Sequence, residues 1–351
     1  MARGIPGSWF VVLLVTAVVF AVALPASTTF PGKNGRIAFV GNLGPNGGDI
    51  FTMNSDGSDV QQLTTFAANG GAACCGFWSL DGRQLVFAAQ PAGAPTYQLW
   101  MMNADGSNQR QLLNDPNGYD QEPSFSPDGS QIVFTRFNSA FQGAIYRIAA
   151  DGTGLTALAD FSPNPDVSDF DPVYSPDGKA IAFDSRLRSG LIYAVFLMDP
   201  DGSHIRPASP AWLEAQMPDW SPDGEKMIFS TRTSYPPNTV TRQIWAMATD
   251  ADDAGLEQIT FPGSSNDIGP VWSPQGDAIA FERDSADGST FSIYVKSLDR
   301  SGAQMVFQGA RNRTLDSSSS IRSGLGGMRS HDAARRIQTG AAAPRWGPVP
   351  Q

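Results

Sequence analysis

The sequence predicts an all-β fold: a six-bladed β-propeller of four-stranded antiparallel blades, its ring closed by a C-terminal strand near Trp346. Three observations carry this. A strand-turn-strand element recurs as WSLDGRQLVF (78–87), FSPDGSQIVF (125–134), YSPDGKAIAF (174–183), WSPDGEKMIF (220–229) and WSPQGDAIAF (272–281), at spacings of 47, 49, 46 and 52 residues. A second element follows each copy: LWMMNADGS (99–107), IYRIAADGT (145–153), VFLMDPDGS (195–203), IWAMATDAD (244–252) and IYVKSLDRSG (293–302), with a sixth copy, IFTMNSDGS, at 50–58. The third observation is a late segment, APRWGP (343–348), that resembles the starts of the first element.

At the N-terminus, Arg3 is the only charge before Lys33, and Trp9 to Leu24 is a nearly unbroken apolar run. Residues 1–26 read as an export signal peptide, with an uncleaved N-terminal anchor as the alternative. Either way the body is expected outside the cytoplasm, in the periplasm, the cell envelope or the extracellular space.

The propeller is expected over residues 31–310. In each repeat an aromatic-Ser run ends one strand and Pro-Asp-Gly turns the chain: Pro fixes φ, Asp bonds back to the backbone and Gly takes the left-handed position. Runs such as QIVF and KMIF are short and wholly apolar, as strands covered on both faces must be. The next strand leads to Asp-Gly-Ser, which turns into a fourth strand such as QQLT (61–64). Four antiparallel strands per repeat make a propeller blade. Trp78, Phe125, Tyr174, Trp220 and Trp272 are then expected to pack between blades. Gly (36) and Pro (26) are abundant, as many tight turns require.

The chain enters this pattern at GRIAFV (35–40), the second strand of a blade whose innermost strand is missing. APRWGP matches that missing strand, so residues 342–351 are expected to insert beside GRIAFV and close the ring, removing the last sheet edge. Residues 311–341, rich in Ser, Gly and Arg, are expected to be a disordered excursion.

Charge and composition exclude several functions. Residues 31–310 carry −16 and the tail 311–351 carries +5. An acidic body argues against nucleic acid, which demands a basic face. The chain has two histidines, His204 in a turn and His331 in the tail, and no G-x-S-x-G elbow. No nucleophile-base constellation is therefore readable. Cys74 and Cys75 are adjacent and are the only cysteines. They allow a vicinal disulfide in an oxidising compartment or two ordinary thiols.

The repeat P-x-W-S-P-D-G…I-A-F…I-Y-x-M…D-G-S…L-T resembles that of TolB-type β-propellers, also found in prolyl-oligopeptidase-like peptidases. The resemblance implies a six-bladed propeller in the bacterial envelope or beyond, with partners docking at one mouth of the central channel. TolB places an α/β domain ahead of its propeller, whereas here the repeat starts a few residues after the apolar run.

In such a fold the segment before each inner strand lies near one rim of the channel. Those segments contain Asp120 and Glu122, Asp169 and Asp171, Glu214, and Asp267. They form either an acidic ring for Ca²⁺ or a basic partner segment, or a set of residues bonding local backbone N–H groups. The expected function is an exported, non-enzymatic, monomeric binding module for an envelope or extracellular protein or peptide. It has no nucleic-acid partner, no required cofactor, and no membrane contact except through an uncleaved N-terminal segment. The alternative is a metal-dependent hydrolase or lyase acting on a sugar or lactone, with a divalent ion in the channel.

Overall fold

A computed structural model describes residues 34–44, 47–190, 192–234, 240–249, 255–261, 266–285, 290–299, 302–310 and 345–348. The export segment, the Ser/Gly/Arg-rich stretch and most of 342–351 lie outside these.

Six four-stranded antiparallel sheets follow the repeat. Blade 1 holds β1 (Asn34–Gly44), β2 (Gly47–Met53) and β3 (Gln61–Gln62). Blade 2 is β4 (Ala72–Trp78), β5 (Gln84–Gln90), β6 (Gln98–Asn103) and β7 (Arg110–Gln111). Blade 3 is β8 (Tyr119–Phe125), β9 (Gln131–Phe137), β10 (Gly143–Ala149) and β11 (Thr156–Ala159). Blade 4 is β12 (Ser168–Tyr174), β13 (Ile181–Arg186), β14 (Tyr193–Met198) and β15 (Arg206–Pro207). Blade 5 is β16 (Ala215–Trp220), β17 (Lys226–Ser234), β18 (Val240–Ala248) and β19 (Glu257–Gln258). Blade 6 is β20 (Asn266–Trp272), β21 (Ala278–Asp284), β22 (Thr290–Ser297) and β23 (Gln304–Ala310). The last strand, β24 (Arg345–Pro348), is the inner strand of blade 1, pairing Trp346 with Ile37 and Arg345 with Ala38. Closure by a C-terminal strand is thus observed.

The turn chemistry is as the repeat requires. In Ser126-Pro127-Asp128-Gly129 the serine hydroxyl donates to Asp128 Oδ1 at 2.6 Å, and Gly129 has φ 71°. The same box recurs at Ser79–Asp81, Ser175–Asp177 and Ser221–Asp223. The second strands are buried on both faces, with Leu85–Val86–Phe87, Ile132–Val133–Phe134 and Ile279–Ala280–Phe281 all at 0% exposure. Each core cluster joins two adjacent blades. Ile37, Phe39 and Met53 of blade 1 meet Val271, Ala280 and Ile293 of blade 6, which seals the ring. Each aromatic ending the inner strands β4, β8, β12, β16 and β20 is buried, and Trp220 Nε1 donates to Val173 O of the preceding blade at 3.3 Å.

Candidate functional site

Every inner strand from β4 to β20 breaks register before its final aromatic. The residue at the break adopts a left-handed conformation: Cys75 (φ 60°), Glu122 (56°), Asp171 (50°), Met217 (54°) and Gly269 (57°). A β-bulge leaves one residue unpaired on the ladder. Its N–H therefore needs another acceptor, and the preceding blade supplies one. Glu122 Oε2 accepts from Asp171 N at 3.0 Å, Asp184 Oδ1 from Met217 N at 3.1 Å, and Ser230 Oγ from Gly269 N at 3.1 Å. Blades 3 to 6 are clamped in series by these bonds.

The six rim carboxylates divide into two sets. Asp120, Asp169 and Asp267 open their inner strands and are nearly fully buried. Each is met by an arginine of its own blade. Arg136 forks onto Asp120 at 2.7 and 2.8 Å, Arg283 forks onto Asp267 at 2.6 and 2.8 Å, and Arg188 forks onto Asp169, which also accepts from Ser185 Oγ at 2.5 Å. Bidentate Arg–carboxylate pairs fix geometry as well as charge. The guanidinium groups also rest against rings, Arg136 at 5.2 Å from Tyr146 and Arg283 at 4.5 Å from Tyr294. Burial pushes the Asp120 carboxyl up from its ordinary value, opposed by Arg136.

Glu122 and Asp171 belong to the bulges, where Glu122 also accepts from Thr135 Oγ1 at 2.8 Å. Glu214, half-buried with φ 47°, follows a single 3-10 turn at Ala211–Leu213. Asp120 and Glu122 lie on blade 3 and Asp169 and Asp171 on blade 4, joined by the Glu122–Asp171 bond, with Glu214 on the loop into blade 5 and Asp267 on blade 6. Among the described residues no group of three or more His, Cys, Asp or Glu is placed to share a metal ion. Among them also, no helix is long and apolar enough to cross a membrane.

Sequence reasoning missed three features. The arginine partners are one: Asp120–Arg136 and Asp267–Arg283 are both sixteen apart across a hairpin, a spacing readable in the repeat. The second is the channel wall beyond the bulge, where Phe77, Ser124, Val173, Asp219, Val271 and Arg345 each precede the closing aromatic of a blade. They line two small hollows that share Phe77 and Trp78, one with Asp219, Val271 and Arg345, the other with Ser124 and Val173. Asp219 accepts the Trp272 N–H at 2.8 Å, and its carboxyl is pushed up to about 6, mainly by burial, with Arg345 opposing. Arg345 lies 5.5 Å from the Phe77 ring centroid.

The third is apolar exposure on the rim loops. Strand alternation sends the loops between second and third strands, and those entering each blade, to the same end as the carboxylates. These loops carry Phe141, Ile192, Trp212 (64% exposed) and Phe261 (72% exposed) on blades 3 to 5 and the entry to blade 6.

The family model described as the TolB β-propeller domain matches residues 33–236, more than half of the chain. The chain belongs to this family of propellers. An uncharacterized protein of Agrobacterium fabrum is 26% identical over 161 residues, covering 43% of this chain and 52% of that protein. The chain thus matches about half the length of this curated relative. TolB from Acinetobacter baumannii superposes with a TM-score of 0.65 at 17% identity, over 90% of this chain and 67% of that one. An oligogalacturonate lyase from Vibrio parahaemolyticus gives 0.50 at 14% identity, over 71% and 72%. At such identities these likenesses concern the fold.

Proposed function

We propose that this protein is an exported, non-enzymatic recognition module whose rim takes a protein or peptide partner of the cell envelope or extracellular space. The observation that carries this reading is the exposure of Trp212 and Phe261, with Phe141 and Ile192, on neighbouring loops of one rim. Large aromatics left in water on adjacent loops favour a macromolecular contact, since indole and phenyl side chains anchor interfaces. Beneath them Asp120, Asp169 and Asp267 pair with arginines and Glu122 holds the Asp171 backbone, which supports the loops, with Glu214 at the base of the Trp212 loop. The body charge of −16 suits a partner segment with basic residues. Export rests on the apolar segment at residues 9–24 and on the family's envelope setting.

The test is co-purification from envelope extract with the full chain as bait, beside a Trp212→Ala/Phe261→Ala bait. Recovery of one defined protein by the first and its loss with the second supports the reading. Equal recovery by both would count against it.

The second reading, a metal-dependent hydrolase or lyase, draws on the fold shared with the oligogalacturonate lyase. It requires rim carboxylates to leave their arginines for an ion.

A further inference from the structure

The bulge repeats a proline that blade 2 lacks. Glu122-Pro123, Asp171-Pro172, Met217-Pro218 and Gly269-Pro270 carry it, and in the sequence Pro344 stands at the same spacing before Trp346. In blade 2 the corresponding residues are Cys74-Cys75-Gly76. Proline fixes its own φ and so stiffens the chain just after the bulge residue. Cys75 holds φ 60°, a conformation costly for a side-chain-bearing residue, and is followed by a glycine, the most flexible residue. The blade 2 bulge thus lacks the stiffness that a fixed proline φ gives the other bulges.

The two sulfurs are placed to supply it. Cys74 and Cys75 are free cysteines in the structure, with Cys75 Sγ 2.6 Å from Cys74 Sγ, longer than a disulfide bond of about 2.05 Å but closer than unbonded thiols sit. Both residues are buried, at 2% and 8% exposure, in the core between blades 1 and 2. Gln121 Nε2 approaches Cys74 Sγ at 3.5 Å, and the backbone of Glu122 bonds to Cys75, so the sulfur takes the place in the interblade series that carboxylate or hydroxyl oxygen holds further round. Cys74 to Cys75 is thus the start of the clamp series.

We propose that Cys74 and Cys75 form a vicinal disulfide that locks the blade 2 bulge in place of the missing proline. The oxidant is a disulfide-bearing thiol oxidant of the export compartment. One cysteine thiolate attacks its S–S bond and expels one thiolate. The second cysteine then attacks the mixed disulfide, forming the Sγ–Sγ bond and expelling the other. Two thiol protons and two electrons pass to the oxidant, which leaves as two thiols. In the folded reduced chain the Cys75 thiol is held well above its ordinary range, by its contact with Cys74 and by burial. Both cysteines are buried once blade 2 is packed, which keeps an oxidant from them, so the bond closes before that packing. Closure in the cell rests on the export reading; the geometry does not.

The experiment has two arms. Purified full-length chain is unfolded, refolded with oxidised glutathione, then denatured and alkylated without reductant. The expected result is no alkylation and a mass about 2 Da below the dithiol, with two alkylations after reduction. Two alkylations without reduction would overturn the proposal. In the second arm the chain is recovered from cells carrying the full sequence. A closed bond there is expected, whereas open thiols with a closed bond in the first arm would overturn export alone. Thermal unfolding adds a functional readout: reductant lowers Tm of the wild type and leaves Cys74→Ser/Cys75→Ser unmoved. Adding Gly76→Pro to that variant, where a new Cβ meets nothing closer than 3.6 Å, recovers part of the loss. A Tm of the wild type that ignores reductant would contradict the locking role.

Discussion

The Glu122 carboxylate of blade 3 holds Asp171 of blade 4, taking its backbone N–H at 3.0 Å while also taking the Thr135 hydroxyl at 2.8 Å. Glu122, one of the rim carboxylates singled out in the sequence, thus fastens one blade to the next. Glu122→Ala strands two buried donors and is expected to cost about 2–3 kcal/mol, with Glu122→Gln milder because one oxygen remains. Urea unfolding of the three proteins checks the order. Equal stabilities would remove Glu122 from the clamp.

The paired rim carboxylates give a second prediction. Asp120→Ala leaves the buried Arg136 only its longer contact to the part-exposed Asp115, at 3.2 Å, so the loss is expected at or below the low end of the about 3–5 kcal/mol that breaking a buried pair costs. Asp120→Ala/Arg136→Met should recover part of this in a double-mutant cycle. Because these carboxylates already have partners, calcium or manganese is expected to leave the wild-type Tm unchanged. A cation-dependent rise in Tm would favour the metal-dependent reading instead.

Two turn glycines separate strain from crowding. Gly202 has φ 87°, and a Cβ there would sit 2.4 Å from Leu158 O of the preceding blade; Gly129 has φ 71° with nothing within 4 Å. Gly202→Ala is expected to cost about 2–4 kcal/mol, because backbone strain and overpacking add, against about 1 kcal/mol for Gly129→Ala. Comparable losses in calorimetry would mean that the turn does not pack as described.

Asp219 predicts a pH dependence. Its carboxyl titrates near 6 when folded and near 3.8 otherwise, mainly because burial disfavours the charge. Between those values the folded chain keeps a proton that the unfolded chain has lost, so this group's contribution to stability falls as pH rises from about 4 to about 6, then levels. Asp219→Asn keeps an oxygen for the Trp272 N–H and carries no charge. It should match the wild type near pH 4 and exceed it above pH 6 by on the order of 1–3 kcal/mol. A difference independent of pH would show that the carboxyl is not shifted.

Much of the architecture was readable because each blade repeats the same turn chemistry. Ser126 with Asp128 and Gly129 fixes a hairpin locally, and Pro-x-aromatic marked β24 although the chain separates it from β1 by some three hundred residues. The site was less readable, because residue type alone does not say what a carboxylate faces. Asp169 reads only as a rim carboxylate until β13 and the following turn bring Ser185 and Arg188 onto it. Asp219 and Arg345 are the only charges in a column otherwise filled by Phe77, Ser124, Val173 and Val271. That column becomes visible only once the bulge sets the register. Trp212 gave no signal, since its exposure depends on how one short turn sits over blade 5.

Recognition at the rim is tested most directly by site-specific photo-crosslinking in living cells, with the probe at positions 141, 212 and 261, and at 298 on the opposite end of blade 6. The account predicts one shared adduct from the three rim positions and none from 298. An adduct from 298 with none from the rim would contradict it.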